Sequence, residues 1–310
     1  MTAPPPRHLA LVGPTASGKS ALAMSVARHF DDVELVSVDS MQVYRGMDIG
    51  TAKATAAARA EVPCHLIDLA DPEEEFSVAR FQAAAAEVLS AIEARGHRAL
   101  LVGGTGLYVQ AVVDGLVLPG EWPELRASLA EEAARPAGVG ALHRRLAQID
   151  PRGAARMEPA NARRVVRALE VTLGSGRPFS SFGPGLDAYP ANRFRLAGVW
   201  LPRAVVAERI AARYVDQLAD GFFDEVRALA ARGPGGLSPT AGQALGYREL
   251  LDHLAGRRTL TDAIEAAVRR TRQFARRQRA WFRRDPRIAW MASARNPVAV
   301  LPALLGHWAS

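Results

Sequence analysis

The chain has 310 residues, 49% hydrophobic and 23% charged, a composition typical of a globular protein of about two domains. Its single cysteine, Cys64, excludes an internal disulfide and any zinc site built from several cysteines. The net charge of +7 favours a polyanionic partner, although a general bias toward arginine would give the same excess. We find no secretory signal and no apolar run long enough to span a bilayer, so we expect a cytoplasmic protein with no membrane partner.

A phosphate-binding loop pattern follows the first predicted strand, residues 9–12, and precedes a predicted helix that starts near Ala21. The pattern consists of Gly13, Pro14, Thr15, Ala16, Ser17, Gly18, Lys19 and Ser20. Between a strand and a helix, such a loop wraps its backbone N–H groups around an anion, Lys19 adds a charge, and Ser20 offers a hydroxyl to Mg²⁺. A glycine-rich turn without a ligand is the simpler alternative. The context predicts a site for a diphosphate or a triphosphate.

Two further predicted strands end in polar or glycine-rich turns. Residues 33–38 lead into Asp39, which we place at the ligand crevice of a doubly wound sheet, although it would also suit a cap for the next turn. Residues 99–102 run into Gly103, Gly104 and Thr105. Many phosphate-loop ATPases have a metal-binding aspartate after this strand. Its replacement by a Gly-Gly-Thr turn counts against an ordinary ATPase.

The pattern changes from alternating strands and helices to helices alone after residue 118. Apolar periodicity predicts a helix over residues 79–94. Beyond residue 118, proline and glycine residues separate helical segments at about 124–134, 141–149 and 160–173, and a strand returns to the sheet over 196–201. We therefore predict an α/β fold with a P-loop NTPase-like core, a parallel sheet and arginine-rich C-terminal helices. The core comprises residues 1–118 and 194–310, and residues 119–193 form a helical insertion domain.

Basic residues cluster in two predicted helices. Arg163, Arg164 and Arg167 lie together in the insertion, and residues 269–287 contain nine arginines with interleaved aromatic residues. Within the second segment, one helical stripe is formed by Arg269, Arg272, Arg276, Arg279 and Arg283. For the cluster in the insertion, a solvated basic face is the usual interpretation and contact with a phosphate backbone is the more specific one. The second segment suits a nucleic-acid backbone, with packing of its aromatic residues into the core as the favoured alternative for those rings. Only Lys19 and Lys53 are lysines, and for Lys53 we weigh a steric requirement equally with chance.

Several blocks, taken together and in order, resemble the tRNA dimethylallyltransferase family, also called tRNA isopentenyltransferases. They lie at residues 13–20, 39–44, 46–53, 65–68, 101–108, 167–170, 246–249 and 272–278. The resemblance implies transfer of a dimethylallyl group from dimethylallyl diphosphate to N6 of adenine 37, in tRNAs that read codons beginning with U. It implies Mg²⁺ as the cofactor, held by Ser20, and the tRNA anticodon stem-loop as a partner. A monomer is the default expectation.

The resemblance also assigns roles to individual residues. Asp39, Thr105 and Arg213 would be catalytic, with Asp39 accepting from the adenine amine and the other two stabilising the departing diphosphate. Residues 13–20 would hold the diphosphate. Contacts with tRNA are implied for Asp39, Ser40, Met41, Gln42, Thr105, Arg126, Arg163, Arg164, Arg167, Gly246, Tyr247 and Arg248.

Two other classes of protein share parts of this pattern. A small-molecule or nucleotide kinase would use the same ATP-binding loop, with Asp39 as its base, but the missing aspartate after residue 102 and the basic helices disfavour it. An RNA-binding protein with a degenerate nucleotide site is disfavoured because Lys19, Ser20 and Asp39 are all intact.

Overall fold

A six-stranded parallel sheet organises the larger of two compact units in the computed structural model, which describes residues 7–232 and 236–309. The strand order is β3-β2-β4-β1-β5-β6. The strands are β1 His8–Val12, β2 Val33–Val38, β3 Cys64–His65, β4 Arg98–Gly103, β5 Phe194–Trp200 and β6 Ala289–Ala292. Within the described residues, no helix combines the length and the apolar character that crossing a membrane requires.

Helices connect and cover these strands. In the larger unit they are α1 Lys19–Ala27, α2 Ala56–Glu61, α3 Val78–Ala94, α4 Gly106–Asp114, α9 Arg203–Ala219, α10 Phe222–Ala230, α11 Tyr247–Leu254, α12 Leu260–Phe282 and α13 Leu301–Ala309. The smaller unit, Leu116–Ala188, contains α5 Pro123–Ala134, α6 Gly138–Ile149, α7 Pro151–Ala154 and α8 Ala162–Ser175.

Side-chain alternation along β1 builds two apolar layers, one on each face of the sheet. Ala10 and Val12 belong to a cluster that includes buried residues of α3, α9, α10, α11 and α12. Leu9 and Leu11 belong to a second cluster with α1 and α13. Every residue of β1 is buried, and four of its five residues are apolar. Such a nearly continuous apolar run is expected for a parallel strand that is covered on both faces.

The register of three neighbouring strands sets the level at which their loops begin. Val38 of β2 pairs with Gly103 of β4, and Val12 of β1 pairs with the same glycine. The residues that follow these strand ends therefore emerge side by side at the carboxyl edge of the sheet. This is the edge at which parallel α/β sheets bind ligands.

The α/β class and the parallel sheet predicted from the sequence are confirmed. β6 had no counterpart in the prediction, which expected arginine-rich helices after the strand at residues 196–201. β6 has four residues, none of them Val or Ile, and follows the arginine-rich segment, so it gives little local signal. The limits of the insertion domain, residues 119–193, stay a prediction. The contact of that domain with tRNA also stays a prediction.

The smaller unit has its own apolar core and a buried carboxylate. Leu129, Leu142, Leu146 and Leu169 form the centre of that core. Glu170 on α8 is fully buried. A carboxylate without water must be compensated by hydrogen bonds, which here come from elements of the same unit.

A second buried carboxylate, Glu34 of β2, connects β3 with the segment that joins α3 to β4 in the larger unit. Its side chain is 5% exposed, and it accepts hydrogen bonds from Arg95 at 2.8 and 2.9 Å. His65 of β3 lies at 2.6 Å and His97 at 2.9 Å. Burial raises the pKa of Glu34, but these partners outweigh it and lower the pKa to about 2.

We predict that this cluster makes stability depend on acid pH. A depressed carboxyl pKa contributes stability that is complete above the unfolded pKa of 4.5 and is lost as pH falls toward 2. The contribution at neutral pH is roughly 3 kcal/mol. Urea unfolding between pH 3 and 7 should show a steeper loss for the wild type than for Glu34→Gln. Parallel curves for the two proteins would contradict this assignment.

Candidate functional site

The phosphate-loop residues adopt a compact turn that ends at the N-terminus of α1. Gly18 has φ 83°, a left-handed conformation that favours glycine, and Lys19 is the first residue of the helix. Lys19 Nζ donates to the Pro14 carbonyl at 2.8 Å, across the loop. Ser20 is exposed in the first turn and lines a cavity. The strand, loop and helix therefore have the arrangement that binds phosphate groups.

Two arginines of α9 reach the same loop. Arg209 Nε donates to the Ala16 carbonyl at 2.9 Å, and Arg213 Nη1 donates to Thr15 Oγ1 at 2.9 Å. The Nε of Arg213 and the Oγ of Ser17 are buried and have no hydrogen-bond partner within residues 7–232 and 236–309. A buried donor without a partner is costly, and a bound anion would satisfy it.

The phosphate loop holds more positive than negative charge, because the two cations Lys19 and Arg213 share one nearby carboxylate. Burial, opposed by Asp39 and helped by the nearby Arg213, lowers the pKa of Lys19 to about 8. Burial also lowers the pKa of the Arg213 guanidinium. Asp39 is the one carboxylate that acts on both cations among these causes. A multiply charged anion would therefore be stabilised here.

Asp39 and Thr105 follow β2 and β4 and line the same cavity as the phosphate loop. Asp39 Oδ1 accepts from the backbone N–H of Met41 at 2.8 Å, so the residue does act as a local cap. Thr105 Oγ1 accepts from the backbone N–H of Ser40 at 3.3 Å. These contacts join the turn after β4 to the turn after β2.

Gln42 is held by contacts from both ends of its amide. Its Oε1 accepts from Ser37 Oγ at 2.7 Å. Its Nε2 donates to the carbonyls of Thr51 and Ala52 at 3.1 and 3.2 Å. The side chain therefore holds the loop of residues 41–53 against β2.

One cavity of about 740 Å³ brings most of the predicted site residues of the larger unit together. Its lining includes Thr15, Ala16, Gly18, Lys19, Ser20, Asp39, Ser40, Met41, Gln42, Thr105, Arg213 and Tyr247. Apolar residues Met24, Leu35, Cys64 and Val102 line a further part of it. The cavity thus joins a cationic loop, a carboxylate and an apolar wall.

The loop of residues 41–53 is fixed by two helices of the same unit. Glu225 of α10 accepts from the backbone N–H groups of Asp48, Ile49 and Gly50 at 2.8, 2.7 and 3.2 Å. Tyr247 of α11 donates its hydroxyl to the same carboxylate at 2.5 Å. Four donors on one carboxylate form a rigid junction.

Lys53 gives the same loop a second internal anchor. Its side chain is 1% exposed, and its Nζ donates to Asp48 at 2.5 Å, to Asp68 at 2.7 Å and to the Tyr44 carbonyl at 2.8 Å. All three ammonium donors are satisfied in a space surrounded by protein. The steric explanation for this rare lysine is therefore supported over chance.

The residues of the 246–249 motif separate into buried and exposed members. Gly246 and Tyr247 are buried, and Gly246 donates its N–H to Glu249 at 3.0 Å. Arg248 is exposed. Tyr247 therefore supports the loop through Glu225, and Arg248 is the member with a surface for a partner.

In the smaller unit, two of the arginines predicted to contact tRNA are engaged with Glu170. Arg126 donates from Nε and Nη2 at 2.9 and 3.1 Å, and Arg167 from Nη1 at 2.8 Å. Burial raises the pKa of Glu170, but the hydrogen bonds from Arg126 and its other partners lower it overall. Arg163 and Arg164 are exposed.

The arginines of α12 differ in their exposure. Arg279 is buried, donates to the Leu201 carbonyl at 2.6 Å, and stacks 4.1 Å from the Trp200 ring centroid. Arg272 donates to the Ala207 carbonyl at 3.3 Å. Arg276 and Arg277 are exposed. Arg272 and Arg279 therefore meet backbone carbonyls of neighbouring segments, while Arg276 and Arg277 have surface available.

Sequence reasoning missed two residues that organise the site, Glu225 and Gln278. Gln278 of α12 is buried between the phosphate loop and the turn after β4. The block 272–278 was recognised, but nothing in its spacing marks the glutamine above its arginines. Glu225 lies in an ordinary amphipathic helix and carries no sequence signal of its own.

Comparisons with known proteins agree on one family. The sequence model described as IPP transferase matches residues 42–285. A tRNA dimethylallyltransferase of Salinispora arenicola is 51% identical over 286 residues, 92% of this chain and 82% of that protein. One from Streptomyces coelicolor is 48% identical over 305 residues, 98% of this chain and 96% of that protein.

Solved structures give the same result. A tRNA isopentenylpyrophosphate transferase from Bacillus halodurans is similar with a TM-score of 0.69 and 37% identity, covering 98% of this chain and 97% of that one. A eukaryotic dimethylallyltransferase, solved acting on tRNA, is similar with a TM-score of 0.75 and 26% identity. It covers 93% of this chain and 74% of that one.

The lowered pKa of Lys19 predicts that anion affinity falls at alkaline pH. A bound diphosphate favours the ammonium form, so binding takes up a proton, and the dissociation constant should rise about tenfold from pH 7 to pH 9. Calorimetry with methyl diphosphate in buffers of different ionisation enthalpy measures both quantities. Lys19→Met should remove the proton uptake, and an unchanged pH profile in this variant would contradict the assignment.

We predict that the loop of residues 41–53 becomes more mobile when Glu225 loses one of its two acceptor oxygens. In Glu225→Gln one oxygen becomes an N–H₂ donor facing backbone donors, so amide exchange at residues 48–50 should accelerate by about tenfold or more. Hydrogen-exchange mass spectrometry reads this directly. Asp224→Asn, which alters the neighbouring exposed carboxylate, should leave the rate unchanged. Equal exchange in both variants would argue against the junction.

Proposed function

The chain belongs to the IPP transferase family and acts in tRNA prenylation; we propose that it transfers a dimethylallyl group from dimethylallyl diphosphate to N6 of adenine 37, in tRNAs reading codons that begin with U. One observation carries this proposal. A phosphate loop with two desolvated cations opens into the same cavity as Asp39, and that cavity also has an apolar wall. Diphosphate, an allyl chain and an amine each have a matching surface.

The leaving group is the part that the phosphate loop would hold. As the bond between C1 of the allyl chain and its oxygen breaks, negative charge grows on the diphosphate. Lys19, the unpartnered Nε of Arg213 and the N-terminus of α1 would stabilise that charge. Because these groups are fixed by the loop contacts already described, they need little rearrangement during the reaction.

The nucleophile is the part that Asp39 would hold. N6 forms a bond to C1 while the C1–oxygen bond breaks, and its extra proton is then accepted by Asp39. One oxygen of Asp39 already accepts from the Met41 N–H, which fixes the carboxylate and leaves the other oxygen for the amine. The base must leave its stack to reach this position.

Mg²⁺ is the cofactor that these residues fit. Ser20 presents an exposed hydroxyl beside the phosphate loop, and Mg²⁺ commonly takes few protein ligands together with phosphate oxygens and water. Ser20 and the diphosphate would hold it, and it would neutralise charge on the leaving group. Lys19 and Arg213 supply the protein's own share of that neutralisation.

Recognition of tRNA would use the exposed basic residues. Arg163 and Arg164 of α8, Arg248 of α11, and Arg276 and Arg277 of α12 have surfaces available for phosphates. We propose that the 119–193 insertion and α12 contact the anticodon stem-loop, and that the enzyme acts as a monomer in the cytoplasm. Affinity built on such contacts weakens with salt.

A labelled-donor assay tests the proposal. Label from dimethylallyl diphosphate should reach an anticodon stem-loop only when adenine stands at position 37, and labelled ATP should transfer nothing. Phosphate transfer from ATP instead would favour a kinase. Asp39→Asn should lower the rate of prenyl transfer by about 10²-fold or more. Asp31→Asn, at an exposed site, should not change it. Full activity in Asp39→Asn would refute its role.

A further inference from the structure

Gln278 connects two loops that are far apart in the chain. Its side chain is buried on α12, and its Oε1 accepts from the backbone N–H of Thr15 at 2.8 Å. Its Nε2 donates to the backbone carbonyl of Gly104 at 2.8 Å. One amide thus joins the phosphate loop to the Gly-Gly-Thr turn.

Each loop contains a group of the proposed reaction. Thr15, on the phosphate-loop side, also accepts from Arg213 through its hydroxyl. Gly104 precedes Thr105, which accepts from the Ser40 N–H beside Asp39. The Gln278 amide therefore lies on a path of hydrogen bonds and single peptide steps that leads from the phosphate loop to Asp39.

The sequence at Gly104 is adapted to this amide. A Cβ atom at that position would lie 2.4 Å from Gln278 Nε2 and 3.2 Å from the Gly13 carbonyl. Only glycine lets the helix side chain, the turn and the phosphate loop approach so closely. The glutamine and the glycine form a matched pair.

We propose that Gln278 is a positioning residue that fixes the separation between the diphosphate loop and the Thr105 turn. This inference rests on the proposed function, because the separation matters only if a bond breaks on one side and forms on the other. A misplacement of about 1 Å costs on the order of 10²-fold in rate. Both polar atoms of the Gln278 amide are engaged by backbone groups, so the residue would act through Thr15 and Gly104.

Gln278→Met tests the role while keeping the length of the side chain. Its kcat for prenyl transfer should fall by about 10²-fold at saturating donor and stem-loop. The dissociation constant for the stem-loop should stay within about twofold of the wild-type value. A substitution distant from the RNA contacts changes the binding free energy by no more than this. Gln273→Met on the exposed side of α12 is the matched control and should match wild type in kcat and thermal midpoint. A kcat for Gln278→Met close to that of wild type would overturn the proposal.

Gly104→Ala provides an independent test, because it displaces the amide without changing Gln278. Alone it should lower kcat to a similar extent. In a Gln278→Ala background only the 3.2 Å contact with the Gly13 carbonyl remains, so the added methyl group should cost less than in the wild type and the two losses should not add. Fully additive losses would mean that the residues act separately, and would also overturn the proposal.

Binding of methyl diphosphate without RNA separates this inference from the proposed function. Loss of one hydrogen bond to the loop should weaken binding to Gln278→Met by about threefold or more. A wild type that binds the ester but transfers no prenyl group would defeat the proposed function, with the weaker binding still supporting the Gln278 contact. A wild type that transfers, with a variant equal to it in binding and kcat, would defeat the positioning role alone.

Discussion

The site depends on one constraint: the strands β2, β4 and β1 end at the same level of the sheet. Val38, Gly103 and Val12 share one register, so Asp39, Gly104 and Gly13 begin their turns side by side. Neighbouring strands are spaced about 4.8 Å apart, so the phosphate loop and the Asp39 turn start roughly 10 Å apart with the Thr105 turn between them. A one-residue slip would move every core side chain of the slipped strand to the other face. The apolar core therefore fixes the dimensions of the site.

Features encoded by neighbouring residues could be predicted from the sequence. The phosphate loop, Asp39 after β2 and the turn after β4 each depend on a strand and the few residues that follow it. Gln278 and Glu225 depend instead on backbone groups that are 263 and about 176 positions away in the chain. No local periodicity reports such a pairing, because either residue would suit its helix equally well facing solvent.

Charge composition predicted a polyanionic partner but not which arginines face it. Arg126 and Arg167 compensate the buried Glu170, and Arg279 satisfies a backbone carbonyl under Trp200. These three side chains have folding roles, so they add less to a binding surface than their number suggests. Arg163, Arg164 and Arg248 carry exposed charge instead. Whether an arginine is engaged or exposed depends on its tertiary contacts, and the number of arginines in the sequence gives no information about those contacts.

Long side chains from distant helices supply hydrogen bonds that irregular loops cannot make for themselves. Arg209 donates to Ala16, Arg279 to Leu201, and Gln278 to Gly104. Each contact satisfies a carbonyl that lies outside a strand ladder, which buried backbone requires. The shape of the loops is therefore encoded on α9 and α12 as much as in the loops. Since a phosphate loop alone serves many reactions, these helices, and the distances they set, adapt a common loop to one chemistry.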